Sequence, residues 1–266
     1  MIINNISIIG GGNLGTSIAR GIRSLDKFKK ENILISEKRT SRADYLREEG
    51  FAVNDDTNAI AVENADMVIV AVKPQQFADV LKEIRPSFSK DKILVSTVTG
   101  VELSEIENHL GDFAAVRIMP NTAIEIKESF TCLCFNNTNN EQEKAMLELF
   151  NKLGVAVALP EEQLDAVTVL GSCGIAFALR FIRAATQGGI EIGFSAELSQ
   201  LIAAQTVKGA AMLLLENESH PEKEIDKVTT PQGITISGLN EMEHQGFSSS
   251  VIKGLLASFN KLTGKK

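Results

Sequence analysis

The sequence predicts an α/β protein: an N-terminal Rossmann-like doubly wound sheet followed by an all-helical C-terminal domain. Three observations carry that expectation. Short apolar runs alternate with helical patterns up to about residue 160, and runs this apolar suit parallel strands covered on both faces by helices. A glycine loop, Gly10-Gly11-Gly12-Asn13-Leu14-Gly15, directly follows the first run. From Glu161 onward the strand-like runs stop, and apolar residues recur at helical spacing.

Taken in order, Ile6 to Ile9 is the first strand, and Leu14, Ile18 and Ile22 share one face of the helix after it. Ile33 to Ile35 is a second strand, followed by a charged helical stretch from Arg39 to Glu49. Met67 to Val72 is a third, leading to a helix around Phe77 to Ile84. Ile93 to Val95 precedes a helix marked by Leu103, Ile106 and Leu110, and a strand from Ala114 ends at Met119-Pro120. Strands at Phe130 to Phe135 and Val155 to Leu159 flank a helix from about Glu141 to Leu153. The division expected is 1–160 for the dinucleotide-binding domain and 161–266 for a helical domain, to which the family resemblance given below assigns substrate binding and dimerisation. In the latter, Leu164, Val167 and Leu170, then Phe177, Phe181 and Ile182, then Leu198, Leu201 and Ile202 keep the helical period. The Ala- and Gly-rich stretch from Ala176 to Gly189 suits either a close-packed core helix or a dimer interface.

The bulk numbers narrow the class. A chain of 266 residues with 44% hydrophobic and 23% charged residues has the composition of an ordinary globular protein. A net charge of −7 argues against a nucleic-acid partner, which would need a basic face. No apolar run reaches the roughly 20 residues of a membrane helix, and the N-terminus lacks a signal-peptide pattern. Cys132, Cys134 and Cys173 show no metal-ligand spacing, so no metal is expected. The expected setting is cytoplasmic, with the thiols reduced.

The glycine loop has a physical reading. Gly10 permits the tight turn, Gly12 leaves room for a pyrophosphate, and Gly15 lets the following helix lie close to the sheet. The helix N-terminus then offers free N–H groups to phosphate. After the second strand, Glu37 stands where an acid accepts from a ribose 2′-hydroxyl, which favours NAD. Ser36, Lys38, Arg39 and Arg42 surround it and favour the 2′-phosphate of NADP. NADP is the expected cofactor and NAD the alternative, since Glu37 and Arg39 pull in opposite directions. Three further strand exits gather polar residues at the same sheet edge: Ala71-Val72-Lys73-Pro74-Gln75, Ser96 to Gly100, and Arg117 to Thr122.

These segments resemble the pyrroline-5-carboxylate reductase family. The carrying residues are Ile8 to Gly15, Ala71 to Gln75, Met119-Pro120-Asn121-Thr122, Leu164-Asp165-Ala166-Val167-Thr168, and Val228-Thr229-Thr230-Pro231-Gln232-Gly233-Ile234-Thr235. The late Pro-x-Gly-x-Thr stretch is the most specific, because generic dinucleotide domains lack it. The resemblance implies reduction of a small-molecule imine, 1-pyrroline-5-carboxylate, to L-proline with hydride from NADPH or NADH. It implies a cofactor site on Gly10 to Gly15, Ser36, Arg39, Asn58, Ala71, Lys73, Pro74 and Thr99, with Asn58 toward the adenosine and Lys73 toward the nicotinamide. It implies that Thr230, Gly233, Ile234 and Thr235 seat the substrate carboxylate, with Thr235 also hydrogen-bonding near the ring nitrogen as the catalytic residue. It implies a homodimer or a ring of dimers, with the active site between the cofactor domain of one chain and helices of the pair.

The chemistry agrees. A protonated imine is already electrophilic, so such a site needs positioning more than acid–base groups. His109, His220 and His244 lie in polar helical contexts away from the strand exits. Without the resemblance, Thr235 reads equally well as a helix N-cap.

Two departures stand out. Gln232 replaces a glycine usual in the family's late loop, and Gly reaches left-handed conformations that Gln reaches only at a cost. Ile175 replaces a helix proline, which predicts a straighter helix. Two rivals are a related imine or 3-hydroxyacid oxidoreductase and a non-catalytic NADP-binding sensor. The 3-hydroxyacid enzymes use a lysine on the interdomain helix, whereas this chain has none between Gln163 and Val207.

Overall fold

The computed structural model describes residues 3–265. Eight strands form one sheet: β1 Ile6–Ile9, β2 Ile33–Ser36, β3 Ala52–Asn54, β4 Met67–Val70, β5 Ile93–Ser96, β6 Ala115–Met119, β7 Ser129–Asn136 and β8 Gly154–Ala158. Their order is β3-β2-β1-β4-β5-β6-β7-β8. The first six pair in parallel, β7 runs antiparallel to β6, and β8 runs parallel to β7. The chain therefore winds outward from β1 in two directions. The crevice between the ends of β1 and β4 is the switch point where such sheets bind ligands.

Helices between the strands are α1 Asn13–Arg23, α2 Thr40–Glu48, α3 Asn58–Glu63, α4 Pro74–Ile84, α5 Leu103–Leu110 and α6 Asn140–Asn151. Alternation along each strand sends side chains to opposite faces. Met67 and Ile69 join one buried cluster with Ile18 and Ile22 of α1 and Phe150 of α6. Val68 and Val70 join the other with Phe77 and Leu81 of α4 and Ile106 of α5. Helix starts follow local chemistry. Asn139 accepts from the Gln142 N–H at 3.0 Å while Gln142 accepts from the Asn139 N–H at 2.9 Å, a reciprocal cap that begins α6. Pro74 sits at the first position of α4, where its missing N–H leaves no gap in the helix bonding.

β3 and α3 have no counterpart among the sequence expectations; β3 is only three residues long and lies at the sheet edge. The reversal of β7 was also not anticipated. Residues 120–128 between β6 and β7 are too few for a helical crossover, which needs a dozen or more.

The chain separates into two compact units, the first ending at Ser172 and the second beginning at Cys173. The first unit includes α7 Leu164–Val167, and a π-helical turn at Thr168–Cys173 runs up to the division. Leu164 is buried against the sheet cluster. Upstream of Ile175 the helix is therefore not regular: the Thr168 hydroxyl donates to the Leu164 carbonyl at 2.7 Å where the turn widens.

The second unit is helical throughout: α8 Gly174–Glu191, α9 Ala196–Asn217, α10 Pro221–Val228, α11 Ile234–His244 and α12 Phe247–Thr263. A Cβ on Gly189 would stand 2.7 Å from the Ser199 hydroxyl, so α8 and α9 approach closely at that glycine. Many large apolar residues of this unit are exposed, including Leu201, Leu215 and Ile192. The helical segments Glu161–Glu191 and Ala196–Asn217 are long and apolar enough, by length and composition alone, to cross a membrane. That corrects the expectation that no stretch reaches this length. Scattered Ser, Thr and Arg break the uninterrupted runs without making the helices polar.

Candidate functional site: a dinucleotide cleft and a helix-entry loop

β1 ends at Ile9, and Gly10 turns the chain with φ 107°, a region open to glycine. A Cβ there would stand 2.5 Å from the Ala71 carbonyl oxygen at the end of β4. Gly12 is the N-cap of α1 and no side chain caps the helix. A Cβ on Gly12 would meet nothing within 4 Å, so the space above the first turn is open. Unblocked N–H groups, a positive helix end and no side chain in the way are the features that suit a phosphate. Asn13 and Leu14 are the first two residues of α1, and Gly15 packs against the Gly10 carbonyl.

The cleft at the switch point has a volume of about 490 Å³. Of the expected cofactor residues, Gly10, Gly12, Ser36, Arg39, Asn58, Ala71 and Lys73 line it together. Pro74 lies at its margin as the first residue of α4, next to Lys73, the exposed N-cap. Thr99 is half-buried in the loop after β5 and does not line this cleft.

A polar network floors the cleft. The Ser36 hydroxyl donates to Asn58 Oδ1 at 2.8 Å. Asn58 donates to Glu83 from its backbone N–H at 2.8 Å and its side-chain amide at 2.7 Å. Lys38 Nζ donates to the same carboxylate at 3.2 Å. Burial pushes the Glu83 carboxyl up, but the Asn58 donors and Lys38 outweigh it and hold it below the usual carboxylate range. Sequence reasoning missed Glu83 because only the packing of α4 shows which of its acids meets Asn58 and Lys38.

The cations after β2 divide into three roles. Arg42 donates from Nε to the Gly11 carbonyl at 2.6 Å and from Nη2 to Thr16 Oγ1 at 2.9 Å, bracing the glycine loop. Lys38 pairs with Glu83. Arg39 forks onto Glu37, Nε to Oε1 at 3.0 Å and Nη2 to Oε2 at 2.9 Å.

In the second unit, Val228 ends α10 and the loop from Thr229 enters α11. The Gly233 N–H donates to the Thr230 carbonyl at 2.9 Å, and Gly233 is the N-cap of α11 with no side-chain cap. A Cβ on Gly233 would stand 2.6 Å from Thr230 Oγ1. Thr235 is the second helical residue rather than the N-cap, so its alternative reading as a cap does not hold. Ile234 is 92% exposed at the helix mouth. Gln232 has φ 60°, a left-handed conformation that glycine adopts freely and glutamine only at a cost. Among the described residues, no group of three or more His, Cys, Asp or Glu could hold a metal ion.

Residues 161–264 match the family described as "Pyrroline-5-carboxylate reductase dimerisation". With a relative 44% identical and covered over 91% of its own length, the chain belongs to the pyrroline-5-carboxylate reductase family. Residues 5–100, which carry the glycine loop, match the family described as "NADP oxidoreductase coenzyme F420-dependent". Pyrroline-5-carboxylate reductase 1 of Dictyostelium discoideum is 47% identical, over 97% of this chain and 49% of its own length. The chain thus spans about half of that relative. Pyrroline-5-carboxylate reductase 2 of the same organism is 44% identical, over 97% of this chain and 91% of its own. A solved pyrroline carboxylate reductase from Plasmodium falciparum, with NADP bound, has a TM-score of 0.88 at 27% identity and covers 98% of each chain. The chain is thus similar to pyrroline-5-carboxylate reductases in both sequence and fold.

Proposed function

We propose that this reductase binds NADPH along the β1–β4 crevice and 1-pyrroline-5-carboxylate at the entry to α11, giving L-proline, with NADH as the alternative donor. The observation that supports this most is the helix entry itself: a glycine N-cap, uncapped by any side chain, directly after Thr230-Pro231-Gln232. The first-turn N–H groups of Ile234 and Thr235 suit a carboxylate, with Gly233 holding the turn through its own bond to the Thr230 carbonyl. The Thr235 hydroxyl, one turn residue further in, is placed to hydrogen-bond near the ring nitrogen as the catalytic residue. The bound cofactor supplies the hydride. Gly10 to Gly15 hold its pyrophosphate, Ser36, Arg39 and Asn58 its adenosine end, and Ala71, Lys73 and Pro74 the nicotinamide side. No general acid is required when the substrate arrives protonated at nitrogen.

The functional division proposed is 1–160 for the cofactor and 161–266 for substrate and assembly, the latter nearly coextensive with the dimerisation match. The exposed apolar residues of α8 and α9 support a homodimer, alone or in a ring of dimers, since a partner copy would bury them. We assign these faces to assembly rather than to a membrane. The free thiols, Cys132 and Cys134 buried and Cys173 half-buried, support a reducing, cytoplasmic setting. The acidic net charge speaks against nucleic acid. Incubating the protein with NADPH and the imine should yield proline by amino-acid analysis; NADPH consumption without proline would reject the substrate assignment.

A further inference from the structure

We propose that Glu37 is a positioning residue of the NADP site: it fixes the Arg39 guanidinium at the cleft so that its remaining N–H groups receive the ribose 2′-phosphate. This rests on the reading of the β1–β4 crevice as the cofactor cleft. An acid just beyond the second strand ordinarily accepts from a ribose 2′-hydroxyl. Here that role is closed off by the protein's own donors. Oε1 accepts from the Arg39 backbone N–H at 2.9 Å and from Arg39 Nε at 3.0 Å. Oε2 accepts from the Gly11 N–H at 3.2 Å and from Arg39 Nη2 at 2.9 Å. A carboxylate offers roughly four acceptor directions, and these contacts fill them. The side chain is 7% exposed, so water does not compete for it.

The guanidinium is the mirror image of this. Its side chain is 68% exposed and lines the cleft. Only Nε and Nη2 are engaged; Nη1 has no protein acceptor among the described residues. A phosphate is bound best by a planar fork, and the pairing with Glu37 holds that fork in one plane before the ligand arrives. Rotamer freedom is then already given up, which is how preorganisation raises affinity. The neighbouring cations do not substitute for it: Arg42 is committed to the Gly11 carbonyl and Thr16, and Lys38 to Glu83. Burial pushes the Glu37 carboxyl up, yet Arg39 and the Gly11 N–H bring it below the usual carboxylate range, so the acid stays ionised and keeps its hold.

The two roles for Glu37 predict opposite signs. Binding of 2′,5′-ADP and of 5′-AMP is measured by calorimetry on the full-length protein and its variants. If Glu37 positions Arg39, Glu37→Ala weakens 2′,5′-ADP about tenfold and leaves 5′-AMP unchanged. Arg39→Ala does the same, and the double variant is no weaker than Arg39→Ala alone. Should Glu37→Ala fail to fold, Arg39→Lys keeps the charge without the fork and is expected to lose 2′,5′-ADP affinity by a similar factor; unchanged affinity there would overturn the proposal. Tighter 2′,5′-ADP binding by Glu37→Ala would also overturn it, because an acid that repels the phosphate does that. Wild-type protein that binds both nucleotides alike would remove the cofactor reading as well, whereas a wild-type preference retained in Glu37→Ala removes this inference alone.

Discussion

A Cβ on Gly15 would stand 2.0 Å from the carbonyl oxygen of Gly10. That oxygen belongs to loop backbone, so the contact cannot be relieved by a side-chain rotation, and α1 meets the sheet only because residue 15 has no side chain. Gly12, two residues after Gly10, has open space where its Cβ would be. The two glycines therefore act on different links, one on packing and one on binding.

Gly15→Ala should lower both the melting temperature and NADPH affinity. Gly12→Ala should melt like wild type, since the added methyl meets no protein atom, yet bind NADPH at least about tenfold more weakly because that methyl enters the phosphate cradle. Thermal melts and fluorescence titration check the pair. Wild-type NADPH affinity in Gly12→Ala would count against the cradle.

Arg117 on β6 is 5% exposed and pairs with Glu161, which also accepts from the Leu103 N–H at 2.8 Å. Removing the carboxylate strands a buried cation. Glu161→Ala should reduce stability by about 3 kcal/mol, read as a shift in the urea midpoint. An unchanged midpoint would show that the pair contributes nothing.

These features differed in how far the sequence revealed them. The glycine loop and strands β1, β2, β4, β5 and β6 were readable because short, mostly apolar runs suit strands buried on both faces. β3 was not, since three half-buried residues carry no periodicity. The direction of β7 was latent in the short 120–128 connection, a signal of chain length rather than composition. Ser36 came from the residues after the second strand, Asn58 and Lys73 from the family resemblance, and all three line the cleft; Glu83 was invisible to both routes. Glu37 and Arg39 were legible as residues but read as competitors; only the geometry shows that one holds the other.

The Glu83 carboxyl lies below the usual carboxylate range in the folded protein. A lowered folded-state pKa means that the unfolded chain binds more protons, so stability is fully present above the ordinary carboxylate range and falls as pH drops through it. The urea midpoint should therefore fall on acidification below about pH 5. Glu83→Gln should be less stable at neutral pH and show a shallower acid slope. Parallel slopes for the two proteins would exclude Glu83 from the acid sensitivity.

Thr235 stands on the first turn of α11, where its hydroxyl is exposed. Thr235→Ala should lower kcat at least about tenfold while changing NADPH affinity less than twofold, as expected for a contact made near the reacting nitrogen. Thr235→Ser should restore most of the rate. An unchanged kcat in the alanine variant would remove Thr235 from the mechanism.

The central claim is that this chain passes hydride from NADPH to a cyclic imine. The most direct measurement follows NADPH absorbance at neutral pH after addition of 1-pyrroline-5-carboxylate, with NADH run alongside. The account predicts a steady fall that needs both protein and imine and is faster with NADPH than with NADH. Flat absorbance from protein that demonstrably binds NADPH would contradict it.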